Sequence, residues 1–130
     1  MKNEIIEVLI PVVSGIASFI EARFDAKQTR KIEHLVSATT RFIIVSVGCI
    51  YLYNISLHAL TLTIFSLTVY WAVFDVSYNY FRGVNLWYMG VTSNTDRYFR
   101  RIFKEGKSYL FAKVVFGFFT LMIHKALYNG

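Results

Sequence analysis

Between Phe42 and Phe74 the chain carries no Asp, Glu, Lys or Arg, and apolar residues fill most of the run. One continuous helix over it would rise roughly 50 Å, against a hydrocarbon thickness of about 30 Å. The run therefore predicts two crossings. Asn54, Ser56 and His58 fall close together and mark the reversal. The expected elements are a span over Thr40–Asn54, an uncharged turn, and an antiparallel span over Ala59–Tyr80. A further apolar segment, Ser108–Leu127, is broken only by Lys113 near one end and His124-Lys125 near the other. Both lysines are close enough to an interface to snorkel.

The first apolar segment, Ile5–Ile20, is short for a span and contains Glu7 and Pro11. Glu7, Ser14, Ser18 and Glu21 share one narrow helical stripe. Such a helix either crosses with the stripe turned inward or lies along the interface; a membrane-inserted helix is the expectation adopted. Near the other end of the chain, Ser93 and Asp96 fit a capping box. Behind it, Tyr98, Phe99, Ile102 and Phe103 fall on one face, with Arg97, Arg100, Arg101 and Lys104 on the other. This predicts an amphipathic interfacial helix over Asp96–Lys104, its apolar face in lipid and its cations at anionic headgroups. Trp87 and Tyr88, just upstream, suit an interfacial aromatic belt.

Composition turns this pattern into a statement about solvent. The 130 residues are 55% hydrophobic, 18% aromatic and only 17% charged, with mean hydropathy +0.45. A small water-soluble fold needs more polar surface than that, so lipid is expected to cover part of the exterior. The length suits one domain, residues 1–130. Glu4 and Glu7, with no small-x-small cleavage site, predict that the apolar segments stay as anchors. The expected fold class is thus all-α: an integral membrane helical bundle with three to four transmembrane helices and a cytoplasmic amphipathic helix.

The net charge of +6 does not point to nucleic acid, because the basic residues lie between apolar segments, where lipid headgroups would meet them. They concentrate in two segments, 21–41 and 82–107, and spare the Asn54–His58 turn. The positive-inside rule puts both segments in the cytoplasm and the turn outside.

Candidate chemistry is sparse. Cys49 is the only cysteine, so neither an intrachain disulfide nor a cysteine-cluster metal site can form. His34, His58 and His124 lie on separate segments without ligand spacing, and no nucleotide fingerprint or nucleophile elbow occurs. No metal, cofactor or catalytic residue is expected. Ser14, Gly15, Ala17 and Ser18 form a small-residue patch suited to helix packing, as does Gly117. The polar residues that stand out are in "FDVSYNYFRG", where Asp75, Asn79 and Arg82 share a helical stripe. His34 and Arg41 precede the first long span on one face. Antiparallel packing would bring His34, Arg41, Asp75, Asn79 and Arg82 together as an intramembrane polar cluster. A charge pair fixing register explains such residues without chemistry; headgroup recognition or a proton relay are the alternatives.

These residues carry a resemblance. His34, Ser37, Ala38 and Arg41, followed by Phe74, Asp75, Asn79, Arg82, Gly83, Trp87, Tyr88, Gly90, Ser93 and Asp96, are similar to a pattern in small multi-span membrane proteins encoded by bacterial viruses and prophages. The resemblance covers roughly residues 30–100 and implies topology and context without a reaction. The functional expectation is a small non-enzymatic inner-membrane protein that self-associates, as a holin-like pore or a host-envelope modifier. Its partners would be anionic lipids and further copies of itself. A membrane enzyme or anionic-lipid-binding module centred on Asp75, His34 and Arg82 is one alternative, and an adaptor for another viral or host protein is a second.

Overall fold

In the computed structural model, residues 2–27, 34–89 and 94–128 are described, and every regular element among them is helical. The order is α1 (Lys2–Lys27), α2 (His34–Tyr53), α3 (Leu57–Phe81), α4 (Asn94–Ile102) and α5 (Gly106–Tyr128). α3 is the central element, with α1, α2 and α5 packed on it.

The reversal between α2 and α3 falls at the expected place and has a local cause. Asn54 takes a left-handed conformation at φ 57, which its short polar side chain tolerates better than most. Ser56 then caps α3 by accepting from the Ala59 amide at 3.2 Å. Helix α3 begins at Leu57, so His58 lies in its first turn and not in the connection. At the other end Gly83, at φ 66, lets the chain leave the helix, with the Val84 amide bonding back to the Asn79 carbonyl at 3.1 Å.

The amino-terminal segment is longer than its apolar core suggested. Helix α1 continues past Ile20 through Glu21, Ala22, Arg23 and Ala26 to Lys27, residues that end a hydropathy window yet favour helix. Glu4–Lys27, Leu57–Phe81 and Gly106–Leu127 are each long and apolar enough to cross a membrane. The described apolar part of α2, Thr39–Tyr53, is shorter; the whole helix of 20 residues rises roughly 30 Å.

Polarity is inverted relative to a water-soluble bundle. Among the described residues twelve buried side chains are polar or charged and seven are hydrophobic. Glu7, Ser14 and Ser18 of α1 face inward, and Thr61, Thr63, Ser66 and Thr68 line the middle of α3. Val12, Ile16 and Phe19 of α1, Ile43 and Val47 of α2, and Phe111, Phe118 and Phe119 of α5 are all exposed. Ser18 donates across to the Tyr70 carbonyl at 2.7 Å, and Thr68 donates within α3 to the Ile64 carbonyl at 2.8 Å, whereas the buried Ser66 hydroxyl has no hydrogen-bond partner among the described residues. Gly15 lies against Val69 and Val73, and Gly117 against Thr68. Ser14, Gly15, Ser18 and Gly117 are therefore helix-packing points, whereas Ala17 of the same patch is exposed.

One glycine closes the α3–α5 connection. A Cβ on Gly106 would lie 1.6 Å from the Trp87 carbonyl oxygen, and backbone cannot yield as a side-chain tip can. Gly106→Ala is expected to lose about 1–3 kcal/mol or more by overpacking, read as a lowered unfolding midpoint in micelles. A midpoint equal to wild type would show that the 84–89 connection is not seated on α5.

Candidate functional site

The candidate charges meet partners on other helices, Arg41 on α1 and Asp75 on α5. Arg41, near the start of α2, forms an ion pair with Glu21 of α1, and its guanidinium sits 4.4 Å from the centre of the Tyr70 ring. The Tyr70 hydroxyl donates to the same Glu21 carboxylate. Asp75 is ion-paired with Lys113 of α5. The Lys113 ammonium is buried and lies 4.2 Å from the Trp71 ring centre and 4.0 Å from that of Tyr109. A cation between two ring faces and a carboxylate replaces much of its lost hydration with electrostatic contacts. Lys113 is thus enclosed and does not snorkel outward.

Asn79 and Arg82 have other duties. The Asn79 amide donates to the Leu86 carbonyl at 3.0 Å and the Tyr88 carbonyl at 2.9 Å, stapling the connection that follows α3. Arg82 is the C-cap of α3, exposed, with its guanidinium 5.4 Å from the Tyr78 ring. His34 opens α2, but its side chain lies outside the described residues, as do those of Ser37 and Ala38. The Ser93 half of the capping box and Gly90 also lie outside them.

A second polar group, absent from the sequence reading, occupies the opposite end of the bundle. Glu7 of α1 is buried at 4% exposure, and its carboxylate meets side chains from two other helices. Tyr53 of α2 donates to it at 3.0 Å, Lys125 of α5 at 3.2 Å, and His124 Nε2 lies 3.7 Å away. His124, 1% exposed, meets the Thr61 hydroxyl of α3 through Nδ1 at 2.9 Å and crosses the His58 ring edge-on at 5.3 Å. His58, expected in the turn, stands in the first turn of α3 beside His124. Both join the packed end of the bundle, because α1 brings a carboxylate to the same level. An apolar groove of about 670 Å³ runs from this end between α1 and α5, floored by Leu62, Phe65 and Val69 of α3.

The amphipathic helix has the expected length but begins and ends two residues earlier, at Asn94–Ile102, and its apolar face divides. Phe99 packs on Trp71 and Tyr109, with ring centres 5.5 and 5.0 Å apart, and Phe103 packs on Tyr109 at 5.5 Å. Tyr98 and Ile102 stay exposed. Two of the four apolar residues therefore dock on the bundle and cover the outer side of the Lys113 cage. Arg100 donates to the Met89 carbonyl at 2.6 Å, tying α4 to the preceding connection. Trp87 and Tyr88 are each about two-fifths exposed, at 40% and 42%.

Glu21 with Arg41, Asp75 with Lys113, and Glu7 with Lys125 each pair opposite charges from different helices, and no group of three metal-ligating side chains forms among the described residues. Searched against protein-family models, curated proteins and solved structures, the chain matches none.

Two signals in the sequence would have found the missed partners. Asp75 lies seven residues before Arg82, and Lys113 lies seven after Gly106. Each is about 10 Å along its helix from the same side of the bundle, so the two share a depth. Glu21 ends the polar stripe that Glu7 begins, which already aimed both carboxylates inward.

Proposed function

We propose that this is a non-enzymatic integral protein of a bacterial inner membrane, with α1, α2, α3 and α5 crossing and segments 21–41 and 82–107 on the cytoplasmic side. It self-associates and acts as a phage-type modifier of the host envelope. The observation that carries this reading is the inverted polarity: polar groups inside, apolar side chains outside on α1, α2 and α5. Hydrocarbon is the solvent in which that distribution is stable, because every polar group must be satisfied internally there.

Self-association is supported by α5, whose apolar window is only 22% buried against its own chain. The outward faces are apolar, which favours the envelope-modifier form over a standing water-filled pore. In lipid nanodiscs the protein is expected to run as an oligomer, and its inducible expression should leave a co-expressed endolysin inside the cell. Endolysin release with depolarisation would select the holin-like pore instead. A monomer in nanodiscs would remove self-association, and quantitative extraction by alkaline carbonate would remove the membrane reading itself.

A further inference from the structure

Where the 84–89 connection meets the start of α5, the surface folds into a concave site of about 520 Å³. Its cations come from two stretches of chain: Arg100 from α4, and Lys104 and Lys107 flanking the start of α5. Glu105 is the one acid in the lining, so the concavity carries net positive charge. Trp87 forms a wall, with the Lys107 ammonium 5.9 Å from its ring centre. Two contacts set the shape. Arg100 is tethered to the Met89 carbonyl at 2.6 Å, and Gly106 leaves no room for a side chain between α5 and the Trp87 backbone. Arg97 and Arg101, although on the same helix, lie outside the lining.

We infer that this site binds the phosphate-bearing headgroup of an anionic phospholipid. The inference rests on the membrane reading above and narrows it from a charged helix face to a particular recess. Charge complementarity selects an anion, and several cations converging on one recess match a phosphate better than a dispersed field does. The rim selects a lipid as the source of that phosphate. Leu86, Tyr88, Tyr98 and Ile102 are exposed around the same connection and helix, giving acyl chains an apolar surface beside the headgroup. Aromatic residues at headgroup level are the usual company of such a site.

The test uses the full chain in vesicles of phosphatidylcholine mixed with phosphatidylglycerol, followed by native mass spectrometry of the released protein. Wild type should retain phosphatidylglycerol over phosphatidylcholine. The triple variant Arg100→Gln, Lys104→Gln, Lys107→Gln should lose that preference. The double variant Arg97→Gln, Arg101→Gln, from the same helix but outside the recess, should keep it. The pair Lys104→Gln, Lys107→Gln leaves the Arg100 tether intact and should show the loss without disturbing the fold.

Equal loss in the Arg97/Arg101 variant would reduce the effect to general surface charge and overturn the assignment. Displacement of the retained lipid by inorganic phosphate alone would overturn the lipid as source. Protein that stays in vesicles of pure phosphatidylcholine yet shows no preference sinks only this inference. Protein that associates with no vesicle sinks the membrane reading beneath it.

Discussion

Lys113→Leu is expected to destabilise the bundle by about 3 kcal/mol, the lower end of the range for breaking a buried ion pair. The substitution takes the Lys113 ammonium from the Asp75 carboxylate and sets an apolar side chain in its place. The estimate sits at the low end because Asp75 keeps 35% of its side-chain surface exposed, while Lys113 keeps 3%. Removing both partners tells a different story. The double replacement Asp75→Leu, Lys113→Leu deletes the desolvation cost together with the attraction, and should recover most of the lost stability. The measurement is an SDS titration in mixed micelles, followed by helical circular dichroism for wild type, both singles and the double. If the double variant is as unstable as the sum of the singles, Asp75 and Lys113 are not coupled and the ion pair has no role in holding α3 to α5.

At the opposite end, Glu7→Leu should cost a similar amount, about 3 kcal/mol, because one carboxylate there serves three helices. It accepts from Tyr53 and Lys125 and faces His124. Lys125→Gln should cost only about 1 kcal/mol, since that ammonium is half-exposed at 50% and can be replaced by water or headgroups. The ranking is the test: Glu7 must exceed Lys125 clearly in the same titration. A reversed or level ranking would mean that Glu7 is not the hub that ties α1, α2 and α5 together.

Together these pairs explain why so apolar a chain keeps charges within its bundle. In hydrocarbon, apolar packing cannot tell one helix register from another, because lipid tails are as apolar as Leu. Paired charges can. Glu21 with Arg41 sets α1 against α2, Asp75 with Lys113 sets α3 against α5, and Glu7 with Lys125 sets α1 against α5. The first two levels lie towards the α2 start and α5 start, and the third lies where α2 ends and α3 begins. Glu7 and Glu21 are separated by roughly 20 Å along α1. The bundle is therefore pinned at two heights.

The amphipathic segment shows where a correct pattern gave an incomplete expectation. Tyr98, Phe99, Ile102 and Phe103 do share a face, as 3.6-residue periodicity requires. Periodicity says which residues point the same way, and nothing about what they point at. Phe99 and Phe103 meet Trp71 and Tyr109, and with them the cage around Lys113. The cationic face divided in the same manner, with Arg100 and Lys104 turned into a recess beside Lys107 while Arg97 and Arg101 remain outside it.

The sequence by itself determined the helical class, a reversal within Asn54–His58, and the approximate position of every long apolar segment. These follow from short-range physics: a charge-free run limits where a helix can end, and a polar turn with a capping serine supplies the stop and the start. It also singled out Asp75, Asn79 and Arg41 as residues that must be explained. What only the tertiary structure decided is which helix answers each of them. Ion pairing depends on depth and on neighbour order around α3, and neither is written in the spacing along any one helix. Two carboxylates on α1 and a lysine and histidine on α5 thus became structural partners of residues far from them in the chain.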